Sequence, residues 1–376
     1  MSLPLDGLLV VALEQAVAAP FATSRLADAG ARVIKLERPE GDFARGYDTT
    51  AKGQSSYFVW LNRGKESVFM DLSTEDGRTL FRALLAKADV FIQNLKPGSL
   101  EKLGFSFEAL RRDYPRLILC SISGYGEEGD FANRKAYDLL IQAESGLASI
   151  TGGPEQAARV GISVVDIATG AHAAQAILEA LFRRERTGEA ADIRVSMFDT
   201  IADWMAVPFL HAADGKAPQR VGLAHPSISP YGVFQAGDGK PLLISIQNER
   251  EWVKLCSDVL EDADFASDPR FHSNVERVRN RPLTDARVQQ GFARMNRAAL
   301  AERLQRADIA FAFVNEVTDL LTHPQLKTFP TQTPLGVVDV PAPGAHFMHE
   351  TRVLGPVASL GEQTEAVARE FLGEHP

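Results

Sequence analysis

The sequence predicts an open, doubly wound α/β sheet of Rossmann-like architecture, followed by a smaller α+β region. Three observations carry this. Short apolar runs alternate with segments whose apolar residues fall at helical spacing. The first three elements read as strand, helix and strand, the βαβ unit of a parallel sheet. Near Val221 the texture changes to a Gly/Pro-rich loop and then to a mainly helical, charge-rich stretch.

Leu8 to Leu13 is a continuous apolar run. Pro20 to Ala29 follows as a helix, with proline in its first turn and Gly30 just past its end, and Val33 to Leu36 is the next strand. Further strands are expected at Glu66 to Leu72, Asp89 to Gln93, Leu117 to Ile122 and Asp192 to Met197, with a helix at Glu75 to Lys87. A long alanine-rich helix is expected over Ala171 to Arg186. The second region opens with Gly222 to Gly232, where two prolines and two glycines mark a boundary loop or lid, and includes a strand at Pro241 to Ile246. A short helix, Glu362 to Leu372, closes the chain and has the apolar spacing to pack back on the first domain.

The totals exclude several function classes. A chain of 376 residues, 45% hydrophobic and 24% charged, is an ordinary globular protein long enough for two domains. The net charge of −9 argues against a nucleic-acid surface, so an anionic partner should be small. Cys120 and Cys256 have no metal-ligand spacing, and His346 and His349 lack a third ligand, so no metal site is expected. The start, Met1 to Asp6, does not read as a signal peptide and no apolar run is long enough to span a membrane, so a cytoplasmic location is expected. The connection Glu14 to Ala19 has neither a G-x-G-x-x-G nor a P-loop, which removes the usual phosphate fingerprints.

The chemistry is expected around Val160 to Gly170, where an apolar run delivers Asp166 at or near the start of the long helix. On spacing alone such an aspartate is most often a helix cap. A helix N-terminus also favours negative charge and would keep a carboxylate ionised as a nucleophile. Gln15, after the first strand, lies at the sheet's carboxyl edge and could donate to a developing oxyanion or simply bond its own loop. Arg38, Arg63, Lys65, Lys96, Lys102 and Lys135 sit close to strands; converging at that edge, they would suit a ligand carrying several phosphates.

These stretches are no longer anonymous when read together. Ala18 to Ala22, Leu26 to Pro39, Leu61 to Lys65, Asp89 to Asn94 with Pro97-Gly98, Asp166, Asp268 to Phe271 and Phe313 to Val317 resemble the family III CoA-transferases, essentially end to end. The resemblance implies a large CoA-binding domain built from both chain ends (1–205 and 330–376), a small α+β domain (225–325) and linkers at 206–224 and 326–329. It implies a homodimer of two interlocked rings, acyl-CoA and carboxylic acid substrates, and no permanently bound cofactor, metal, nucleic acid or membrane.

Carried over by position, the resemblance makes Asp166 the nucleophile that becomes an aspartyl-CoA thioester and Gln15 a contact of the reacting carbonyl. Arg38, Leu72, Asn94, Leu95, Lys102 and Lys135 match CoA-binding positions, with Arg38 and Lys135 at the nucleotide phosphates. Tyr137 and Asp138 match an active-site pair. The phrases Leu13 to Phe21, Gly41 to Tyr47 and His225 to Gly232 look most like the branch handling C4 and C5 dicarboxylates such as succinate, mesaconate, itaconate and citramalate. Arg45, Arg63, Arg220 or His225 would then meet the second carboxylate. The loop 222–232 lacks the glycine run of formyl-CoA transferases, which weakens the case for oxalate. The 2-methylacyl-CoA racemases share the fold, but carry a histidine where this chain has Tyr137. A non-catalytic CoA-binding protein is the remaining alternative, and Asp166 with Gln15 speaks against it.

Overall fold

A computed structural model describes residues 3–348 and 352–373; His349 lies outside them. Two compact units divide the described residues: 3–147, 159–207, 327–348 and 352–373 form the first, and 148–158 with 208–326 the second.

The first unit is built on six parallel strands: β1 (Leu9–Leu13), β2 (Arg32–Glu37), β3 (Lys65–Phe69), β4 (Val90–Gln93), β5 (Ile118–Ser123) and β6 (Asp192–Ser196), in the order β3-β2-β1-β4-β5-β6. All six coincide, within a few residues at their ends, with the six apolar runs. Because successive side chains of a strand face opposite ways, β1, β2, β4 and β5 each feed two cores. Val10, Ala12, Val33, Val90, Ile92 and Ile118 face α1 (Ala18–Asp28); the partners on the other face include Leu9, Val11, Ile34, Leu36, Phe91 and Leu119.

That second face is covered by α3 (Glu75–Leu85), which follows the short α2 (Ser56–Asn62), and by α4 (Phe107–Asp113). After α5 (Asp138–Glu144) comes α6 (Val164–Thr187), whose Ala173, Ala174, Ile177 and Leu181 join α1 on the first face. Gly170 of α6 is required there, since a Cβ would stand 2.3 Å from the Ala18 carbonyl oxygen. The helix α7 (Met197–Trp204) follows β6 directly, and the C-terminal α8 (Thr364–Leu372) puts Val367 into the second core. Gln363 ties this end to β3 by accepting from the Ser67 N–H at 2.8 Å.

Strand order reverses between β1 and β4, so the loops after these neighbouring strands diverge and leave a crevice at the carboxyl edge. Gln15 and Asn94 stand in those two loops.

The second unit holds an antiparallel sheet of β7 (Tyr231–Gln235), β8 (Pro241–Ser245) and β9 (Ala310–Phe313), with β8 central. Its core is aromatic and aliphatic, around Trp252, Phe265, Phe271, Phe292, Leu300 and Leu304. The segment expected as a linker, 206–224, carries a helix at Ala206–Ala213. Among the described residues no helix is long and apolar enough to cross a membrane, and no cluster of three or more potential metal ligands occurs.

Candidate active site

The crevice at the β1/β4 switch point is a cavity of about 580 Å³ lined wholly by the first unit. Gln15, Asn94, Leu95, Lys135, Tyr137, Asp138 and Asp166 all line it, so seven of the residues singled out from the sequence come together. Lys96 lines it too, with Phe43, Tyr47, Tyr57, Arg134, Arg159 and Ser163, which sequence reading did not select as site residues.

Gln15 is held by its backbone. Its N–H donates to Asn94 Oδ1 at 3.0 Å and its carbonyl accepts from Asn94 Nδ2 at 2.8 Å, a two-point clamp between the two loops of the switch point. The next residue, Ala16, has a φ of +63°, a left-handed conformation that costs a non-glycine residue about 1 kcal/mol or more. Its N–H donates to Asp42 Oδ1 at 3.1 Å, which helps hold the strained turn.

Asp42 is anchored in turn by Lys35 Nζ at 2.8 Å, and Lys65 Nζ donates to Glu14 Oε1 at 2.7 Å, with all four side chains at most 1% exposed. Burial works against the Lys35 charge, but the carboxylates of Asp42, Glu14 and Glu37 more than offset it and its pKa rises. For Lys65 burial wins, and the pKa falls to about 8. The loop that presents Gln15 therefore rests on a buried ionic block.

Asp166 occupies the third position of α6, which begins at Val164, seven residues before the expected start. It does not cap the helix. The carboxylate of Asp138, from the start of α5, does so across space: Oδ1 accepts from the Val165 N–H at 2.8 Å and from the Asp166 N–H at 3.3 Å. Two of the otherwise unpaired donors of the first turn are thus satisfied by a residue 27 or 28 positions away, which no local pattern announces.

The charge state of Asp166 also departs from expectation. Burial first, and the Asp138 carboxylate second, push its pKa up to about 7, so desolvation outweighs whatever the helix N-terminus contributes. Near neutrality the group titrates rather than standing fully ionised. On the same lining, Tyr57 Oη and Ser163 Oγ are 3.3 Å apart, and Tyr47 packs edge-on against Tyr57 with ring centroids at 5.5 Å. Burial, then the Asp42 and Asp166 charges, raise the Tyr47 hydroxyl to about 12, which keeps it a neutral donor.

The other residues expected at the site stand outside the lining of this cavity. Arg45 is committed elsewhere: its guanidinium donates to both oxygens of Glu37, at 2.9 and 2.7 Å, and lies 3.8 Å over the Phe58 ring. Arg63 is 1% exposed, donates to Asp28 Oδ2 at 2.5 Å, and is a core charge. With Lys65 also buried, neither residue beside β3 serves an anion site. The Leu72 side chain is packed in the second core. Arg38 and Lys102 are exposed and outside the cavity lining, with Arg38 Nε donating to the Gly41 carbonyl at 3.3 Å. Arg220 spends its guanidinium on the carbonyls of Ser149, Gly153 and Pro154 in the second unit. His225 belongs to that unit as well; its ring stacks on Tyr231 at 5.4 Å, and burial followed by the Arg281 charge lowers its pKa.

Of the residues that sequence reading missed, Ser163 was legible as a polar residue just before the helix. Tyr57, Arg134 and Arg159 reach the cavity only through tertiary contacts.

The lining gathers two carboxyl groups, Asp138 and Asp166, with the Gln15 and Asn94 amides, the Tyr57 and Ser163 hydroxyls and cations at Lys96, Arg134, Lys135 and Arg159, a set equipped for nucleophilic chemistry on an anionic substrate. Comparisons with known proteins place the whole chain. The chain is 40% identical over 326 residues to an acetyl-CoA:oxalate CoA-transferase of Acetobacter aceti, covering 86% of this chain and 83% of that one. It is 34% identical to a succinate–glutarate CoA-transferase of Agrobacterium fabrum, covering 98% and 96%. The crystal structure of a CaiB/BaiF family protein from Brucella suis superposes with a TM-score of 0.84 at 35% identity, over 99% of this chain and 100% of that one. The family model for CoA-transferase family III matches residues 5–367. Because that match spans nearly the whole sequence, the chain belongs to CoA-transferase family III.

Proposed function

We propose that this CoA-transferase moves CoA between carboxylic acids through a covalent aspartyl-CoA thioester on Asp166, with dicarboxylates as the acids. The observation that carries the reading is the placement of Asp166: a carboxyl group on the lining of the switch-point cavity, with Gln15, Tyr57 and Ser163 on the same lining.

In the proposed sequence an ionised Asp166 oxygen attacks the thioester carbonyl of the donor. The C–S bond breaks, CoA leaves as thiolate, and an aspartyl–acyl anhydride remains. The thiolate then attacks the Asp166 carbonyl carbon, the anhydride C–O bond breaks, and the first acid departs as its carboxylate. An acceptor carboxylate attacks the aspartyl thioester and the same two steps run backward, returning Asp166 to its carboxylate. One thioester replaces another, so no energy source is needed. The Gln15 amide is assigned to the developing oxyanion, where a preorganised donor is worth about 3 kcal/mol in such sites.

Lys96, Lys135, Arg134 and Arg159 are assigned to the anionic parts of the substrates, and Arg38 and Lys102 to the nucleotide end of CoA. Succinate, mesaconate, itaconate and citramalate are the acids favoured by the loop phrases, and glutarate joins them because the relative at 34% identity is named for it. Oxalate stays in the set, because the relative at 40% identity is named for it and this counters the expectation drawn from the loop 222–232. The same reading includes a homodimer of interlocked rings in the cytoplasm.

The test is an acceptor panel of these acids with succinyl-CoA and acetyl-CoA as donors, products followed by liquid chromatography. Transfer to at least one dicarboxylate, lost in Asp166→Ala, is expected. Transfer only to monocarboxylates would overturn the substrate class, and full turnover by Asp166→Ala would overturn the mechanism.

A further inference from the structure

Gln142, on α5, is 0% exposed, and both ends of its amide are used. Nε2 donates to Asp138 Oδ2 at 2.6 Å, and Oε1 accepts from the Val160 N–H at 2.8 Å. Asp138 Oδ2 is the oxygen that does not face α6; Oδ1 is the one that accepts from Val165 and Asp166. A continuous chain of hydrogen bonds therefore runs from the Val160 backbone through Gln142 and Asp138 to the first turn of α6. It closes a ring with the short segment Val160 to Ser163, which leads into the same turn. An uncharged amide satisfies both neighbours, whereas an ionised carboxylate cannot, since Asp138 needs a donor and the Val160 N–H needs an acceptor.

We propose that Gln142 is a positioning residue for the transfer reaction: it locks the Asp138 carboxylate onto the start of α6 and so fixes where the Asp166 carboxyl stands and which charge it faces. This rests on the assignment of Asp166 as nucleophile. Gln142 is not among the residues lining the cavity, so it acts through Asp138 and through the backbone next to Arg159.

The other charged and titratable groups of the cavity come from separate elements. Tyr47 and Tyr57 lie between β2 and β3, Lys96 follows β4, Arg134, Lys135 and Tyr137 precede α5, and Arg159 precedes α6. Asp138 is the one other carboxylate on the lining, and Gln142 holds it. A lost bond at Gln142 frees that carboxylate to turn away from α6, leaving two N–H donors unpaired and displacing the nucleophile.

Two variants test this. Gln142→Glu is nearly isosteric but replaces the donor facing Asp138 with a carboxyl group, adding negative charge one residue removed from Asp166. Its kcat/KM profile is expected to move its acid limb to higher pH, with lower kcat. Gln142→Met removes both bonds while filling the space. Its kcat is expected to fall by about 10- to 100-fold, the usual cost of a misplaced reacting group, with KM for acyl-CoA within about twofold. Circular dichroism and thermal melts establish that each variant is folded; should Gln142→Met not fold, the pH profile of Gln142→Glu decides alone.

Folded variants with unchanged kcat and an unmoved pH midpoint would overturn the proposal, because a purely structural glutamine would lower only the melting temperature. The parallel Asp166→Ala control separates the two ideas. Retained turnover there sinks the nucleophile assignment itself, whereas lost turnover there with unaffected Gln142 variants sinks the positioning role alone.

Discussion

Replacing Asp166 with asparagine should make the protein more stable above neutral pH while abolishing transfer. The carboxyl pKa stands near 7 in the folded protein against an ordinary 3.8. A group raised in this way binds more protons folded than unfolded at intermediate pH, so it contributes a destabilisation that is absent below pH 3.8 and grows as pH rises toward 7. Fully developed, the difference corresponds to ~4 kcal/mol, and at pH 5 to less than half of that. The substituted amide does not titrate, so its constant effects cancel when the two proteins are compared at two pH values. Urea unfolding of wild type and Asp166→Asn at pH 5 and pH 8 should show the variant's advantage growing by ~2–3 kcal/mol between them. An advantage equal at both pH values, or larger at pH 5, would refute the claim that burial and Asp138 hold this carboxyl up.

Other consequences are measurable. For the wild type, kcat/KM should fall about tenfold per pH unit below an apparent pKa near 7, as the nucleophile protonates; a flat profile from pH 5 to 8 would show that Asp166 is ionised throughout. Lys35→Met strips the buried partner from Asp42 and Glu14 and should cost about 3–5 kcal/mol in denaturant unfolding. Gly170→Ala drives a Cβ against the Ala18 carbonyl and should lower stability by about 1–3 kcal/mol, because backbone on both sides must give. Arg45→Ala should reduce stability without changing the KM of any dicarboxylate. It also removes the guanidinium that, against burial, holds the Glu37 carboxyl down at about 2 with help from Lys35 and Ser67. A depressed carboxylate contributes stability present above its ordinary pKa and lost as pH falls through 2, so the Arg45→Ala deficit should shrink in acid, as melts at pH 7 and pH 3 would show.

Much of the large sheet was legible because central strands such as β1, β4 and β5 are short apolar runs buried on both faces, and such runs report burial directly. The carboxyl-edge position of Gln15 followed from the same pattern, whereas the strand order that sets Asn94 beside it did not. Charge was far less legible. Arg63 and Lys65 read as surface cations beside a strand, yet they neutralise Asp28 and Glu14 inside the fold, and composition does not say which carboxylate a lysine will meet. Arg45 was misread for the same reason, since its partner Glu37 lies at the end of β2. The start of α6 was placed too late because its cap comes from Asp138 on another element rather than from a residue preceding the helix. The expected charge logic was also reversed: the helix start was to keep Asp166 ionised, but burial raises its pKa and the Asp138 carboxylate that caps the helix adds to the rise.

The most direct test of the central claim is peptide mass spectrometry of the protein after incubation with succinyl-CoA and no acceptor. CoA in thioester linkage is expected on the peptide carrying Asp166, discharged by an acceptor dicarboxylate and absent from Asp166→Ala. Turnover without any such adduct, or an adduct on a different residue, would contradict the covalent role of Asp166.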